Sequence, residues 1–203
     1  MAFTFFFRDI AVLNLIATHV VPTLSGYSKV GIWDAGCAMG PEPYSLAITL
    51  AERMGNFAFR NIHIDATDIE EQENCGNTIE TGVYPAEQLK SVPPEMFSKY
   101  FTPAGEEGHF RIIDRIRQSI HYRRHDLLSL KPPADGYRLI VCKNVLLHFT
   151  PDQRIKVIRM FHSVLAYGGF FATEQTQEMP KELAPLFVQV SNEGSLYMKA
   201  VST

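Results

Sequence analysis

The feature that most restricts the fold lies between Lys29 and Ile69. The apolar run "KVGIWDAG" reads as a short buried strand ending in a glycine turn. Pro43 to Met54, "PYSLAITLAERM", spreads its apolar residues over two faces, as a helix packed on a sheet does, and "NIHIDATDI", Asn61 to Ile69, alternates like a second strand that ends in acid. Strand, turn, helix, strand is a βαβ unit, and its crossover commits the chain to a parallel sheet with helices laid on it.

The flanking sequence extends this α/β pattern. "DIAVLNLIATHVV", Asp9 to Val21, has helical spacing with Asp9 placed to cap it. "YRLIVCKNVLLHF" is an apolar strand running into a polar turn, "TPDQRIKVIRMFHSVL" is an amphipathic helix with Thr150 as its cap, and "GGFFATEQ" and "SLYMKAV" read as later strands. The middle differs in texture. Glu70 to Thr81 is polar, "GVYPAEQL" and "PPEMFSKYF" resemble short helices behind prolines, and "GHFRIID" with "RQSIHYRRHDLL" reads as a pair of strands. The expected organisation is therefore one domain over residues 1–203, with a β-rich insertion at about 101–122.

Composition narrows the functional classes. A formal net charge of −3 gives no electrostatic ground for a nucleic-acid or membrane partner, although Arg111 to His125 is locally basic. Those arginines, beside the expected strand pair, suggest a surface for an acidic extended peptide. Cys37, Cys75 and Cys142 are odd in number and far apart, so neither a disulfide framework nor a metal site is indicated. Arg8 and Asp9 interrupt the aromatic N-terminus, and no apolar run reaches membrane-spanning length, so the expectation is a cytoplasmic protein without membrane insertion.

Ligands of open parallel sheets bind beyond the carboxyl ends of the strands, where a glycine turn lets a ligand approach the backbone. Gly36 and Gly40 shape such a turn after the first strand, and Asp68 ends the second, where a carboxylate can accept from two ribose hydroxyls. The loop reads G-C-A-M-G rather than G-x-G-x-x-G, which disfavours NAD. S-adenosylmethionine carries an adenosine and an amino acid but no phosphate, and tolerates fewer glycines.

Several ordered blocks resemble one family. "TFFFRD" (Thr4 to Asp9), "DAGCAMGPEPYSLA", "ATDI" before "GVY", "HDLL" and "VCKNVLLHF" are similar, in order and spacing, to the chemotaxis-receptor methyltransferases of the CheR type. Their patterns are approximately T-x-F-F-R-D, S-A-G-C-S-T-G-E-E-P-Y-S-L-A, A-T-D-I-D, N-L-L and F-C-R-N-V-L-I-Y-F. The resemblance implies a class I methyltransferase, with a Rossmann-like α/β sheet and a small antiparallel β insertion that helps dock the receptor. Its implied reaction is O-methylation of receptor glutamates by S-adenosylmethionine, leaving S-adenosylhomocysteine. The resemblance begins where the family's catalytic domain begins, after the helical N-terminal domain that relatives carry.

Carried over residue by residue, it implies that Thr4 and Arg8 approach the methionine end of the cofactor, with Ala35, Gly36 and Glu42 from the loop. Asp68 is implied at the ribose, and Asp126, Leu127, Lys143 and Asn144 around the adenosine and the methyl group. Arg8, a natural clamp for carboxylates, and His148, at the place of the family's Tyr, are the candidate catalytic residues. Several positions depart from the pattern. Pro41 replaces the first acid of the Glu-Glu pair, leaving Glu42 to carry the charge; Lys143 stands for Arg, Asp126 for Asn, and "EQTQ" (Glu174 to Gln177) for G-H-S-E. These changes keep open an alternative, a non-catalytic module that binds the cofactor or the receptor.

Overall fold

The computed structural model describes residues 4–69 and 75–200. Helix α1 (Ile10–Leu15) continues through a wide turn and a tight one to Leu24, and leads into β1 (Val30–Ala35). The next elements are α2 (Pro41–Phe59), β2 (Ile62–Asp68), α3 (Cys75–Thr81), β3 (Val83–Pro85), α4 (Pro94–Tyr100), β4 (Phe101–Pro103), β5 (His109–Ile112), α5 (Asp114–Arg117) and β6 (Ile120–Arg124). The chain closes with β7 (Tyr137–Val141), α6 (Pro151–Val164), β8 (Leu165–Ala172), β9 (Phe187–Gln189) and β10 (Leu196–Lys199).

Seven strands form the main sheet in the order β6-β2-β1-β7-β8-β10-β9. The neighbours from β6 to β8 are parallel, whereas β10 runs antiparallel to both β8 and β9. The carboxyl ends of five strands therefore emerge along one edge. Leu46 and Leu50 of α2 pack with Ile32, Ile64 and Leu139 on one face, and Val157 and Phe161 of α6 pack with Trp33, Ile140 and Phe171 on the other. Thr150 caps α6 in a reciprocal box with Gln153, as its sequence predicts. Gly55, at φ 75° and ψ 168°, breaks α2, so its regular part ends at Met54, as expected.

The small sheet differs from the expected insertion. Its strands are β3, β5 and β4, in that order, so it begins at Val83 rather than near residue 101. Ile120–Arg124 is not the partner of His109–Ile112: β5 is already paired on both sides, and β6 joins the main sheet beside β2, with Ile64 opposite Ile120 and Asp68 opposite Arg124. Alternation in sequence identifies a buried face but not the neighbouring strand. Val83–Pro85, expected within a short helix, is a strand, and only Ala86–Leu89 makes a helical turn. Cys75–Thr81, read as polar connection, is helical because Cys75 and Ile79 bury one side; residues 70–74 of that stretch lie outside the described residues. Strand β9 was not anticipated. The arginines are divided among three elements, Arg111 on β5, Arg115 and Arg117 on α5, and Arg123 and Arg124 on β6; Arg115 bonds Asn56, Arg117 reaches Asp114 and the Glu80 carbonyl, Arg123 pairs with Asp65, and Arg124 donates to the Ile69 carbonyl. Among the described residues no helix is long and apolar enough to cross a membrane.

Candidate functional site

The loops at the carboxyl edge of the main sheet are held in unfavourable backbone conformations. Phe7 (φ 56°), Ala38 (φ 46°) and Asn144 (φ 58°) occupy the left-handed region, which costs a residue with a Cβ about 1 kcal/mol or more. In each case a side chain from another element captures the strained residue's N–H. Phe7 donates to Ser45 Oγ (2.9 Å), Ala38 to Asp68 Oδ2 (2.8 Å) and Asn144 to Glu174 Oε2 (2.9 Å). Ser45 in turn donates to the Pro41 carbonyl, and Thr173 Oγ1 donates to Glu174. Strain maintained by dedicated partners marks this edge as the working end of the sheet.

Two glycines are required here for space as well as for angle. A Cβ on Gly36 (φ 110°) would lie 2.1 Å from Val145 Cγ2, and one on Gly40 (φ 97°) would lie 2.5 Å from Tyr84 Oη. Tyr84, from the small sheet, is fully buried; it donates to the Met39 carbonyl (2.8 Å) and meets Phe6 edge-on at 5.0 Å. The small sheet thus props the glycine loop from below.

Three predicted residues converge on one narrow cavity. Arg8, Glu42 and Lys143 line it together with Asp9, Phe5, Phe7 and Val141. Lys143, 5% exposed, pairs with Glu42 Oε2 at 3.1 Å and with Asp9 Oδ2 at 3.0 Å. Burial pulls the Lys143 ammonium down, but the Glu42 and Asp9 carboxylates outweigh it and hold the group above its ordinary value. Burial pushes Glu42 up, against the opposing pull of Lys143. Asp9 is therefore an ion-pair partner rather than a helix cap; its side chain makes no capping hydrogen bond to α1.

The other predicted residues surround this centre. Asp68 shapes the loop through Ala38, and its carbonyl accepts from His125 N at 2.7 Å, which draws the turn after β6 towards it. On that turn Asp126 caps the helical turn Leu127–Ser129 by accepting from Leu128 N. Ala35 and Leu127 are buried in one apolar cluster beneath the loop. Thr4 is half-buried at the start of the N-terminal strap, outside the cavity lining. His148 is exposed at the end of the turn Leu146–His148 and does not line the cavity either.

Sequence reasoning passed over four contributors. Ser45, Tyr84 and Glu174 act by contact across the fold, which no local pattern announces. Asp34 is different: it is an acid inside the otherwise apolar strand β1, and that irregularity was legible. Its side chain is fully buried, and neither carboxylate oxygen has a hydrogen-bond partner.

The sheet order, the single edge of carboxyl ends and the glycine loop define a class I methyltransferase fold. A family model, CheR methyltransferase, SAM binding domain, matches residues 2–193, and the chain belongs to that family. It is 29% identical to a probable chemotaxis protein methyltransferase of Rhizobium etli, over 91% of this chain and 70% of that protein. It is 32% identical to a chemotaxis protein methyltransferase of Listeria innocua, over 81% of this chain but only 60% of that one. PKMT2 from Rickettsia typhi, solved in complex with AdoHcy, superposes on 86% of this chain and 27% of its own at 14% identity and a TM-score of 0.49.

S-adenosylmethionine is the cofactor of this domain, and the residues present fit it. Gly36 and Gly40 leave a cradle that a Cβ would fill, and the buried, unpartnered oxygens of Asp34 and Glu42 offer negative charge to a cationic ligand.

Proposed function

We propose that this domain transfers a methyl group from S-adenosylmethionine to glutamate side chains of chemotaxis receptors in the cytoplasm. The observation that carries the reading is the meeting of Arg8, Glu42 and Lys143 at one cavity beside the glycine loop. When bound, the cofactor supplies a methyl group activated on a sulfonium. The chain's own residues then bind and align. The glycine loop and Asp68 hold the nucleoside, while Glu42 and Lys143 set the charge at the methionine end. Arg8, exposed on the strap beside the cavity, orients the acceptor carboxylate in a bidentate fork. A glutamate is already ionised near neutral pH, so no strong general base is needed, only alignment and exclusion of water. Phe5 and Phe7 in the cavity wall serve that exclusion, and His148, exposed at the end of the turn Leu146–His148, is assigned to the acceptor rather than to the cofactor.

The test compares wild type with Arg8→Ala for both cofactor binding and methyl transfer to receptor glutamates. Wild-type transfer that Arg8→Ala lowers by about a hundredfold, with binding less affected, is the expected result. Binding without transfer to any receptor would replace this reading with a non-catalytic module.

A further inference from the structure

Glu174 lies outside the lining of the cavity, yet it fixes the backbone that carries one of the cavity's charged residues. Strands β7 and β8 end side by side, with Val141 opposite Ala172, and the residues that follow them run on together. Asn144 and Glu174 meet there: Glu174 Oε2 accepts from Asn144 N at 2.9 Å and from Thr173 Oγ1 at 2.7 Å. Glu174 and Thr173 are both buried. Their backbone is anchored as well, since the Glu174 carbonyl accepts from Gln177 N at 3.0 Å and Thr173 N donates to the Ser195 carbonyl at 3.0 Å. The carboxylate is therefore a fixed point, and Asn144, at φ 58°, is the residue bent to reach it.

The bend has a consequence on each side. Lys143, just before it, sends its ammonium to Glu42 and Asp9 in the cavity wall. Val145, just after it, fills the space above Gly36, its Cγ2 standing 2.1 Å from where a Cβ on that glycine would lie. Each residue has only two soft backbone angles, so moving Asn144 to the right-handed or extended region swings Val145 relative to Lys143. Both contacts cannot then be kept. The left-handed angle is unfavourable for a residue with a Cβ, and the hydrogen bond from Asn144 to Glu174 offsets that cost.

We propose that Glu174 is a positioning residue for the cofactor: through the N–H of Asn144 it sets the turn after β7, and with it the affinity for S-adenosylmethionine, without touching the ligand. The inference rests on the reading that Lys143 and the glycine loop hold the cofactor. Alanine at position 174 releases the N–H, lets Asn144 leave the left-handed region and parts Lys143 from Val145. Glutamine keeps an acceptor oxygen on a side chain of the same length, so it preserves the turn. Asn144→Gly exposes the role most directly, because glycine adopts φ 58° freely and the turn no longer depends on its partner.

The experiment is a double-substitution cycle read by calorimetric titration of S-adenosylmethionine. Glu174→Ala is expected to weaken binding about tenfold, and Glu174→Gln by less than about threefold. In an Asn144→Gly background, whatever its own affinity, adding Glu174→Ala should weaken binding only about twofold further. Amide hydrogen exchange gives a readout without ligand: Glu174→Ala should speed exchange at Asn144 and leave the amides of β1 and β7 as slow as in wild type. Glu174→Ala that binds like wild type, a loss in Glu174→Gln as large as in Glu174→Ala, or equal losses in the two backgrounds overturns the proposal. If Glu174→Ala fails to fold, Thr173→Val enters the same cycle, with a loss of about threefold expected beside Asn144 and none in the Asn144→Gly background; equal losses again overturn it. Lys143→Ala separates this proposal from the reading beneath it. Unchanged binding in Lys143→Ala removes Lys143 from the cofactor site and leaves the Glu174 cycle to decide alone, whereas a loss there with none in Glu174→Ala removes Glu174.

Discussion

Asp34 on β1 and Asp65 on β2 are near neighbours in register, since Trp33 lies opposite Asp65 and Asp34 opposite Ala66. Both are buried, and they project from opposite faces of the sheet. Asp65 is saturated: Arg123 Nη2 donates to Oδ1 at 3.0 Å, Tyr137 Oη donates to Oδ2 at 2.7 Å, and His63 Nε2 stands 3.5 Å away. Asp34 has no such partner. Two acids of equal burial thus do opposite things. The first ties β2, β6 and β7 together, and the second is left without a donor near the carboxyl end of β1. Burial alone does not reveal the role of an acid; its partner count does.

The largest expected effect comes from breaking the saturated acid. Asp65→Ala strands the Tyr137 hydroxyl and frees Arg123, and should lower stability by about 3 kcal/mol in urea denaturation. A loss as small as that of a surface substitution would erase the contrast. The unpartnered acid should behave in the opposite sense: Asp34→Asn should gain about 1 kcal/mol at neutral pH. Because the folded Asp34 carboxyl keeps its proton at pH values where the unfolded one has lost it, wild-type stability rises as pH falls through that interval. The advantage of Asp34→Asn should therefore shrink towards acid, and denaturation at several pH values measures it. The smallest effect belongs to the stacked rings of His63 and His121, 4.0 Å apart beside Asp65. Burial first, and then the neighbouring His63, hold His121 below its ordinary value. Its neutral form is favoured in the fold, so its contribution is complete above the unfolded imidazole value of about 6.5 and is lost as pH falls below it. His121→Phe should remove that acid-side decline and leave the rest of the pH profile unchanged.

The βαβ unit was legible because it is local: β1, the glycine loop, α2 and β2 run in sequence from Val30 to Asp68, and their periodicities declare them. The α6 cap was legible for the same reason. Partnership was not. Ile120–Arg124 reads equally well as the mate of β5 or of β2, and only the pairing of β5 on both sides decides it. In the site, the motifs identified Arg8, Glu42, Lys143 and the loop. They missed that Asp9 abandons its helix for Lys143, because a cap and an ion-pair partner are the same residue type in sequence. The carboxylate of Glu174 under Asn144 joins positions 30 residues apart, and no local pattern carries that information.

Tyr84 connects parts that belong to different sheets. Its hydroxyl fills the space above Gly40 and holds the Met39 carbonyl, and its ring meets Phe6 of the strap and, at 6.0 Å, Tyr44 of α2. A single side chain is thus the joint through which the small sheet, the strap and the cofactor loop bear on one another. A load applied to β3 passes to Gly40 over the length of one phenol, with no flexible segment in between to absorb it. Parting the small sheet from the loop therefore means breaking the contacts of Tyr84 with Met39 and Phe6.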